Sequence, residues 1–260
     1  MSDQTTGLLA GKNILIMGVA NKWSIAFAIG EAMKAAGATL ILSYLDERML
    51  KDCQALVADQ SEAKIYPCNA ANDDDIAALA SSIKADFGTL HGYVHSVGFA
   101  PADAMKNKFI ETTRNDWTVA MDVSAYSLVA VSAALAPLMT EGGSIQTLTY
   151  LGADRVFPNY RVMGVAKAAL EATVRYLAYD LGEQQIRVNA LSAGPVKTAA
   201  ARGIPGFMDM YKMLLEHTPL KTDFGAEQVA GLSVFLASDL SSAITGETIF
   251  VDNGFHAMGM

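Results

Sequence analysis

Short, mostly apolar runs alternate along the chain with longer segments of helical period. The runs at 13–17, 39–44, 63–66, 90–95, 144–148, 187–191 and 248–251 predict strands, and segments near 24–35, 47–58, 73–87, 115–138, 160–182 and 226–237 predict helices between them. A strand that alternates apolar and polar side chains has one wet face; a strand apolar throughout is covered on both. Some seven such strands alternating with helices predict an α/β fold, a doubly wound parallel sheet with helices on both faces and ligands at the carboxyl ends of its strands. No internal repeat, linker or low-complexity stretch divides the pattern, so the expectation is a single domain over 1–260.

The segment 122–139 departs from amphipathic helices in being apolar nearly all round, with interspersed serines. A helix without a polar face is covered on all sides, and this one is short for a bilayer, so burial in the interface of a homo-oligomer, a tetramer by preference, is expected. Composition narrows the partners. With 260 residues, 52% of them hydrophobic, and a net charge of -8, the chain has the means for a large core but no basic face for nucleic acid or an anionic membrane. Cys53 and Cys68 have neither CxxC spacing nor clustered histidines, which predicts no metal and no disulfide. Residues 1–6 lack a signal-peptide pattern, and the expected location is cytoplasmic.

Candidate chemistry sits where strands end. Straight after the first strand comes Gly18-Val-Ala-Asn-Lys-Trp-Ser24-Ile25-Ala26, which has no GxGxxG but carries small residues where a dinucleotide fold lets the backbone and a helix N-terminus approach a pyrophosphate. Ser24 can cap that helix or reach a phosphate. The second strand ends Leu45-Asp46-Glu47-Arg48; acids there suit a free ribose hydroxyl, so NADH is favoured and NADPH is the lesser expectation. Asn69 and Ala70 follow the third strand, where an Asn can meet an adenine, and the acids Asp73 to Asp75 fit the first turn of a helix capped by Asn72 better than a metal. After the fourth strand, Gly98 would let a flat cofactor lie against the backbone, with Phe99 and Ala100 towards a substrate. His95, inside an apolar strand, reads as a core histidine rather than a base. Beyond the sixth strand, Val196 and Thr198 can bond an amide and a phosphate, and the Met-rich segment near 197–217 fits either a core helix or a mobile lid over an oily substrate.

The stretch 150–167 holds Tyr150, Tyr160 and, seven residues on, Lys167. On a helix Tyr160 and Lys167 share a face, and the cation is expected to lower the phenol pKa and make it a general acid.

Taken in order, Gly18-Val-Ala-Asn with Ser24-Ile-Ala, His95-Ser-Val-Gly-Phe-Ala-Pro, Tyr150-Leu-Gly-Ala, Pro158-Asn-Tyr160, Met163-Gly-Val-Ala-Lys167, Arg187-Val-Asn-Ala and Ser192-Ala-Gly-Pro resemble the bacterial enoyl-acyl-carrier-protein reductases of the short-chain dehydrogenase/reductase superfamily. The resemblance runs from Gly11 to Phe255. It implies a Rossmann fold and NADH-dependent reduction of trans-2-enoyl thioesters on acyl carrier protein in fatty acid elongation. It also implies Tyr150, Tyr160 and Lys167 as catalytic residues, and Gly18, Ser24, Ile25, Leu45, Asn69, Ala70, Val97, Gly98, Lys167, Val196, Lys197, Thr198, Ala199 and Ala200 at the cofactor. Phe99, Ala100, Met163 and Phe207, with both tyrosines, would line the acyl site. Asn69 stands where the family usually has Asp, Leu45 replaces a polar residue, and Asn253 replaces a Gly. Two rivals remain: a carbonyl reductase or alcohol dehydrogenase of the superfamily, with Thr147 in place of its serine thirteen residues before Tyr160, and a non-catalytic NAD sensor.

Overall fold

The structure is a computed structural model describing residues 7–198, 201 and 207–259, without the side chains of Phe207 and Met210. Its strands are β1 (Asn13–Met17), β2 (Thr39–Tyr44), β3 (Lys64–Pro67), β4 (Gly92–His95), β5 (Gly143–Thr149), β6 (Ile186–Ala193) and β7 (Thr248–Val251). All pair in parallel, in the order β3-β2-β1-β4-β5-β6-β7. The helices are α1 (Ile25–Ala35), α2 (Glu47–Leu56), α3 (Asp73–Phe87), α4 (Ala102–Lys106), α5 (Arg114–Met121), α6 (Ser127–Leu135), α7 (Arg161–Leu181), α8 (Phe207–His217) and α9 (Ala226–Ala237).

Strand β1 shows why its apolar run is continuous. Successive side chains point to opposite faces: Ile14 and Ile16 join Ile29 and Met33 of α1 and Ala230 of α9, while Leu15 and Met17 join Ile76 of α3, Leu128 of α6 and Leu170 of α7. Each face is therefore a core. Caps fall where small polar residues precede the helices: Ser24 accepts from Phe27 N, Asp46 from Arg48 N and Asn72 from Asp75 N. The carboxylates of Asp73 to Asp75 accordingly stand in the first turn of α3, and no metal-holding group of acids occurs among the described residues. Asn253 takes a left-handed φ of 56°, a conformation Asn tolerates better than most residues, which accounts for its standing in a glycine's place.

One expectation is corrected and one element is added. The helix read over 115–138 is interrupted: α5 passes through a π turn at Asp122–Tyr126 into α6, and Pro137 tightens the end into a 3-10 turn at Ala136–Leu138. Within Arg114–Leu138 an 18-residue window reaches a mean hydropathy of 1.7, enough for a span by length and composition, but half of that window is buried inside the protein. Its buried face packs on the sheet and α3 through Leu128, Val131 and Leu135. Helix α4 was not foreseen, because five residues are too few to show a period.

Candidate active site

Strands β2 and β4 leave β1 on opposite sides, and at this reversal of strand order the chain ends diverge into a crevice. Gly18 begins it. With φ at +89° and a position where a Cβ would lie 2.0 Å from Ser96 O, it brings the turns after β1 and β4 closer together than any side chain allows. Beside it, at the carboxyl ends of β4, β5 and β6, lies a cavity of about 500 Å³. Ile25, Gly98, Leu148, Lys167, Val196 and Thr198 line it together with the oily side chains of Phe99, Ala100, Met105, Phe157, Pro158 and Met163. Tyr150 and Tyr160 stand in its wall.

The two phenols are placed by close backbone packing. Asn159 and Arg161 both take left-handed φ values, 68° and 47°, so Tyr160 occupies a kinked entry to α7 rather than a regular helical position. Such strained residues cluster at sites where one geometry must be held. Gly152, in the 3-10 turn after Tyr150, leaves the gap into which the Tyr160 ring fits: a Cβ on it would lie 2.5 Å from Tyr160 Cδ1 and 3.0 Å from Tyr150 Cδ1. The rings meet edge to face with centroids 5.0 Å apart, and Phe157 lies 4.9 Å from Tyr150 on its other side.

Lys167, only 8% exposed, donates from Nζ to Leu148 O at 2.7 Å. Burial pulls its pKa down to about 8, against the opposing pull of Glu171. The same burial, with the Glu171 carboxylate adding to it, pushes Tyr160 above its ordinary value, and Tyr150 is raised by burial and by Tyr160. The expected acidification of Tyr160 is therefore overturned: burial, with Glu171 adding to it, favours the neutral phenol, and both phenols hold their protons throughout the neutral range.

The π turn supplies a residue that sequence reasoning missed. Its extra residue re-aims Ser124, whose hydroxyl accepts from Phe99 N at 2.9 Å and donates to Phe99 O at 3.0 Å, clamping the segment that follows β4. Behind it His95 is fully buried, bonded to Ser127 Oγ at 2.8 Å and Thr147 Oγ1 at 3.2 Å, with its pKa pushed down to about 3 by burial and then by Lys167. It is a neutral core residue, as its apolar strand suggested.

The adenosine side is more open. Ser24 donates to Asn21 O as well as capping α1, Asn69 Oδ1 accepts from Ala71 N, and Leu45 is 58% exposed at the end of β2. Ala70 is buried and Val97 packs on the core beneath it. None of Gly18, Ser24, Leu45, Asn69, Ala70, Val97 or Lys197 lines the cavity itself. The Lys197 ammonium instead sits 4.2 Å over the Tyr211 ring of α8. Ala199, Ala200 and the Phe207 side chain lie outside the described residues.

The comparisons decide between families that share this crevice. Residues 18–256 match the family model described as enoyl-(acyl carrier protein) reductase. The chain belongs to the enoyl-(acyl carrier protein) reductase family. Similar relatives are the NADH enoyl-[acyl-carrier-protein] reductases of Bacillus cereus, 45% identical over 97% of this chain and 99% of that one, and Bacillus subtilis, 47% identical over 95% and 97%. An NADPH enoyl-[acyl-carrier-protein] reductase of Staphylococcus aureus is 44% identical over 96% and 98%. The crystal structure of the Bacillus cereus enoyl-acyl carrier protein reductase with NADP+ and indole naphthyridinone superposes with a TM-score of 0.95, covering 98% of this chain and 100% of that one at 45% identity.

Within this reductase family frame, the residue on which a carbonyl reductase would depend is misplaced. Thr147 is fully buried and its hydroxyl donates to His95 O at 3.2 Å, away from the cavity. The wall position two residues on is Thr149, whose hydroxyl donates to Glu171 Oε1 at 2.7 Å. Met105, Phe157 and Thr149 were not singled out from sequence, whereas Pro158 was, in the motif Pro158-Asn-Tyr160. Of the three, only Phe157, inside the stretch that carries both tyrosines, offered a signal.

Proposed function

We propose that this chain reduces trans-2-enoyl thioesters carried on acyl carrier protein, in fatty acid synthesis, with NADH as the preferred reductant. The observation that carries the reading is one cavity lined by Tyr150, Tyr160 and Lys167 together with the oily side chains of Phe99, Met105 and Met163. The cavity fits a dinucleotide's nicotinamide half. Gly98 is exposed at its floor, and the Cβ it lacks would stand 3.5 Å from Lys167 Nζ, so a flat ring can lie on the backbone beside the ammonium. Ile25, Gly98, Lys167, Val196 and Thr198 would hold it, with Gly18 and Ser24 towards the pyrophosphate. When bound, the reduced nicotinamide would supply the hydride that ends on the β-carbon of the enoyl group, and a proton from solvent would then reach the α-carbon as the enolate collapses to the saturated thioester.

Tyr160, protonated at Oη, donates a hydrogen bond to the thioester oxygen as that oxygen gains enolate charge. A donor preset in a dry site is worth about 3–4 kcal/mol to such a transition state. Lys167 holds ribose hydroxyls and keeps the local potential positive. Tyr150, edge-on to Tyr160, keeps water from the enolate. Helix α8, with exposed Met208 and Met213, covers the substrate as a lid.

The NADH preference rests on Asp46. Its carboxylate accepts Arg48 Nη2 at 2.7 Å and Arg48 Nε at 3.2 Å, so the basic residue at this corner is already neutralised and a 2′-phosphate would meet an acid. The relatives include enzymes of both cofactor types, which makes this a property of the individual chain. Trp117, Tyr126, Tyr176 and Tyr179 are exposed aromatics on α5, the π turn and α7, and a homo-oligomer, tetrameric by preference, would bury them. The acidic chain is assigned to the cytoplasm.

The test is NADH or NADPH oxidation with crotonyl thioester beside acetoacetyl thioester. Turnover of crotonyl thioester, faster with NADH, is expected; turnover of acetoacetyl thioester alone would overturn the reading. Tyr160→Phe should lower kcat by about 100- to 1,000-fold while NADH still binds, whereas a sensor would show no turnover to lose.

A further inference from the structure

A buried lysine that must stay charged needs something to keep it so. Lys167 has a single short contact among the described residues, the neutral carbonyl of Leu148 at 2.7 Å, and no carboxylate within 4.0 Å. One turn further along α7, on the same face, stands Glu171. Its carboxylate is half-buried and is not free to swing into water, because the Thr149 hydroxyl from the cavity wall donates to Oε1 at 2.7 Å. Leu148 and Thr149 are neighbours at the end of β5, so one strand end holds both the ammonium and its distant counter-charge.

We propose that Glu171, tethered by Thr149, is the positioning residue that keeps Lys167 charged and thereby lets it hold the cofactor. The inference rests on the reductase reading above and adds to it a residue outside the motif. The other groups facing this pair leave Glu171 as the source of the effect. His95, on β4 behind Lys167, is neutral, and Tyr160 keeps its proton. Burial raises Glu171 itself and the Thr149 hydrogen bond opposes that rise, while Arg175, a further turn along α7, and Asp154, from the turn after β5, act on it with opposite signs. Burial pulls Lys167 down to about 8, and the Glu171 carboxylate is what opposes it. Without that carboxylate the ammonium would lose its proton close to neutrality.

Glu171→Gln keeps the shape and the acceptor for Thr149 but removes the charge. Glu171→Asp keeps the charge, and Thr149→Val keeps both charges but releases the tether. NADH binding followed by fluorescence from pH 6 to 9.5 reads the lysine directly, and kcat/KM for crotonyl thioester over the same range follows the reaction. In the parent protein, affinity should fall as pH rises through the midpoint of Lys167. In Glu171→Gln that fall should come about one pH unit earlier, with affinities within twofold of the parent at pH 6 and the loss appearing in the KM for NADH. Thr149→Val should move in the same direction by less, and Glu171→Asp should restore the parent limb. Coincident limbs, or a loss equal at every pH, would overturn the proposal; if Glu171→Gln does not fold, Thr149→Val is judged by the same criterion. A parent protein that binds NADH but leaves crotonyl thioester untouched would refute the reductase reading and leave the lysine result to be judged on binding alone.

Discussion

Two glycines at the crevice separate what the fold needs from what the cofactor needs. At Gly98 an added Cβ would meet Lys167 Nζ at 3.5 Å, Ser124 Oγ at 3.7 Å and Met163 Cε at 3.8 Å, all ordinary contacts, and φ is not positive. Gly98→Ala should therefore fold with a stability within about 0.5 kcal/mol of the parent, since the smaller conformational freedom of the unfolded chain offsets any slight crowding. The new methyl nevertheless projects into the cavity, where a flat ring would lie. Overpacking of about 1–3 kcal/mol then falls on the complex, which is about 5- to 150-fold in the Kd for NADH. Gly18→Ala should do the reverse. Its Cβ would overlap Ser96 O at 2.0 Å and its φ is +89°, so overpacking and backbone strain together cost about 2–4 kcal/mol. For a chain of this length that lowers Tm by roughly 5–15 °C. Thermal melts and NADH fluorescence titrations on the three proteins give both quantities. An alanine at 98 that binds NADH like the parent would refute the placement of the nicotinamide, and an alanine at 18 with an unchanged Tm would refute the packing.

Three further outcomes follow from other parts of the site. His95 is buried neutral with its pKa near 3, whereas an unfolded histidine protonates near 6.5, so the unfolded state gains protons first as pH falls. Stability from this residue, complete above about pH 6.5, should be lost progressively below it, by about 2 kcal/mol at pH 5, and His95→Gln should flatten that slope in melts from pH 8 to 5. Asp46→Asn retains the cap of α2 but removes the charge, and should improve NADPH relative to NADH by about fivefold in kcat/KM; an unchanged ratio would place discrimination elsewhere. Gly152→Ala drives a methyl into both phenol rings and should lower kcat by at least about tenfold with less than about threefold change in the KM for NADH, measured by the same enoyl assay.

What was legible in the chain was whatever repeats or breaks a period. Seven strands announced themselves as short, mostly apolar runs, since strands of a sheet covered on both faces carry few polar positions, and Ser24 and Asn72 marked helix starts because their side chains satisfy donors the helix cannot. The motif residues Tyr150, Tyr160, Lys167, Gly98 and Met163 were found in order and meet at one cavity. The clamp by Ser124 was not, since a π turn arises from one extra residue within an unbroken apolar run and leaves the composition unchanged. Thr149 and Glu171 escaped for a different reason. They are twenty-two residues apart, on a strand and a helix, and only the packing of α7 on β5 makes them partners.

The electrostatics were misjudged for a reason that bears on the chemistry. Spacing places a cation near a phenol, and two groups in water would then share a proton more readily. In the folded chain both are desolvated, and desolvation favours whichever form is neutral. That form is the protonated one for Tyr160 and the deprotonated one for Lys167, so a single cause moves their pKa values in opposite directions. Below the Lys167 midpoint near 8 lies a pH range in which Tyr160 is a full hydrogen-bond donor and Lys167, with Glu171 behind it, is still a cation. An enolate oxygen needs that combination, because a phenolate in the same place would repel the developing charge and leave the oxygen without a donor. The wall is thus suited to stabilising charge that appears on an oxygen it does not itself protonate, and for that task a buried, weakly acidic tyrosine serves better than the acidified one that spacing alone suggested.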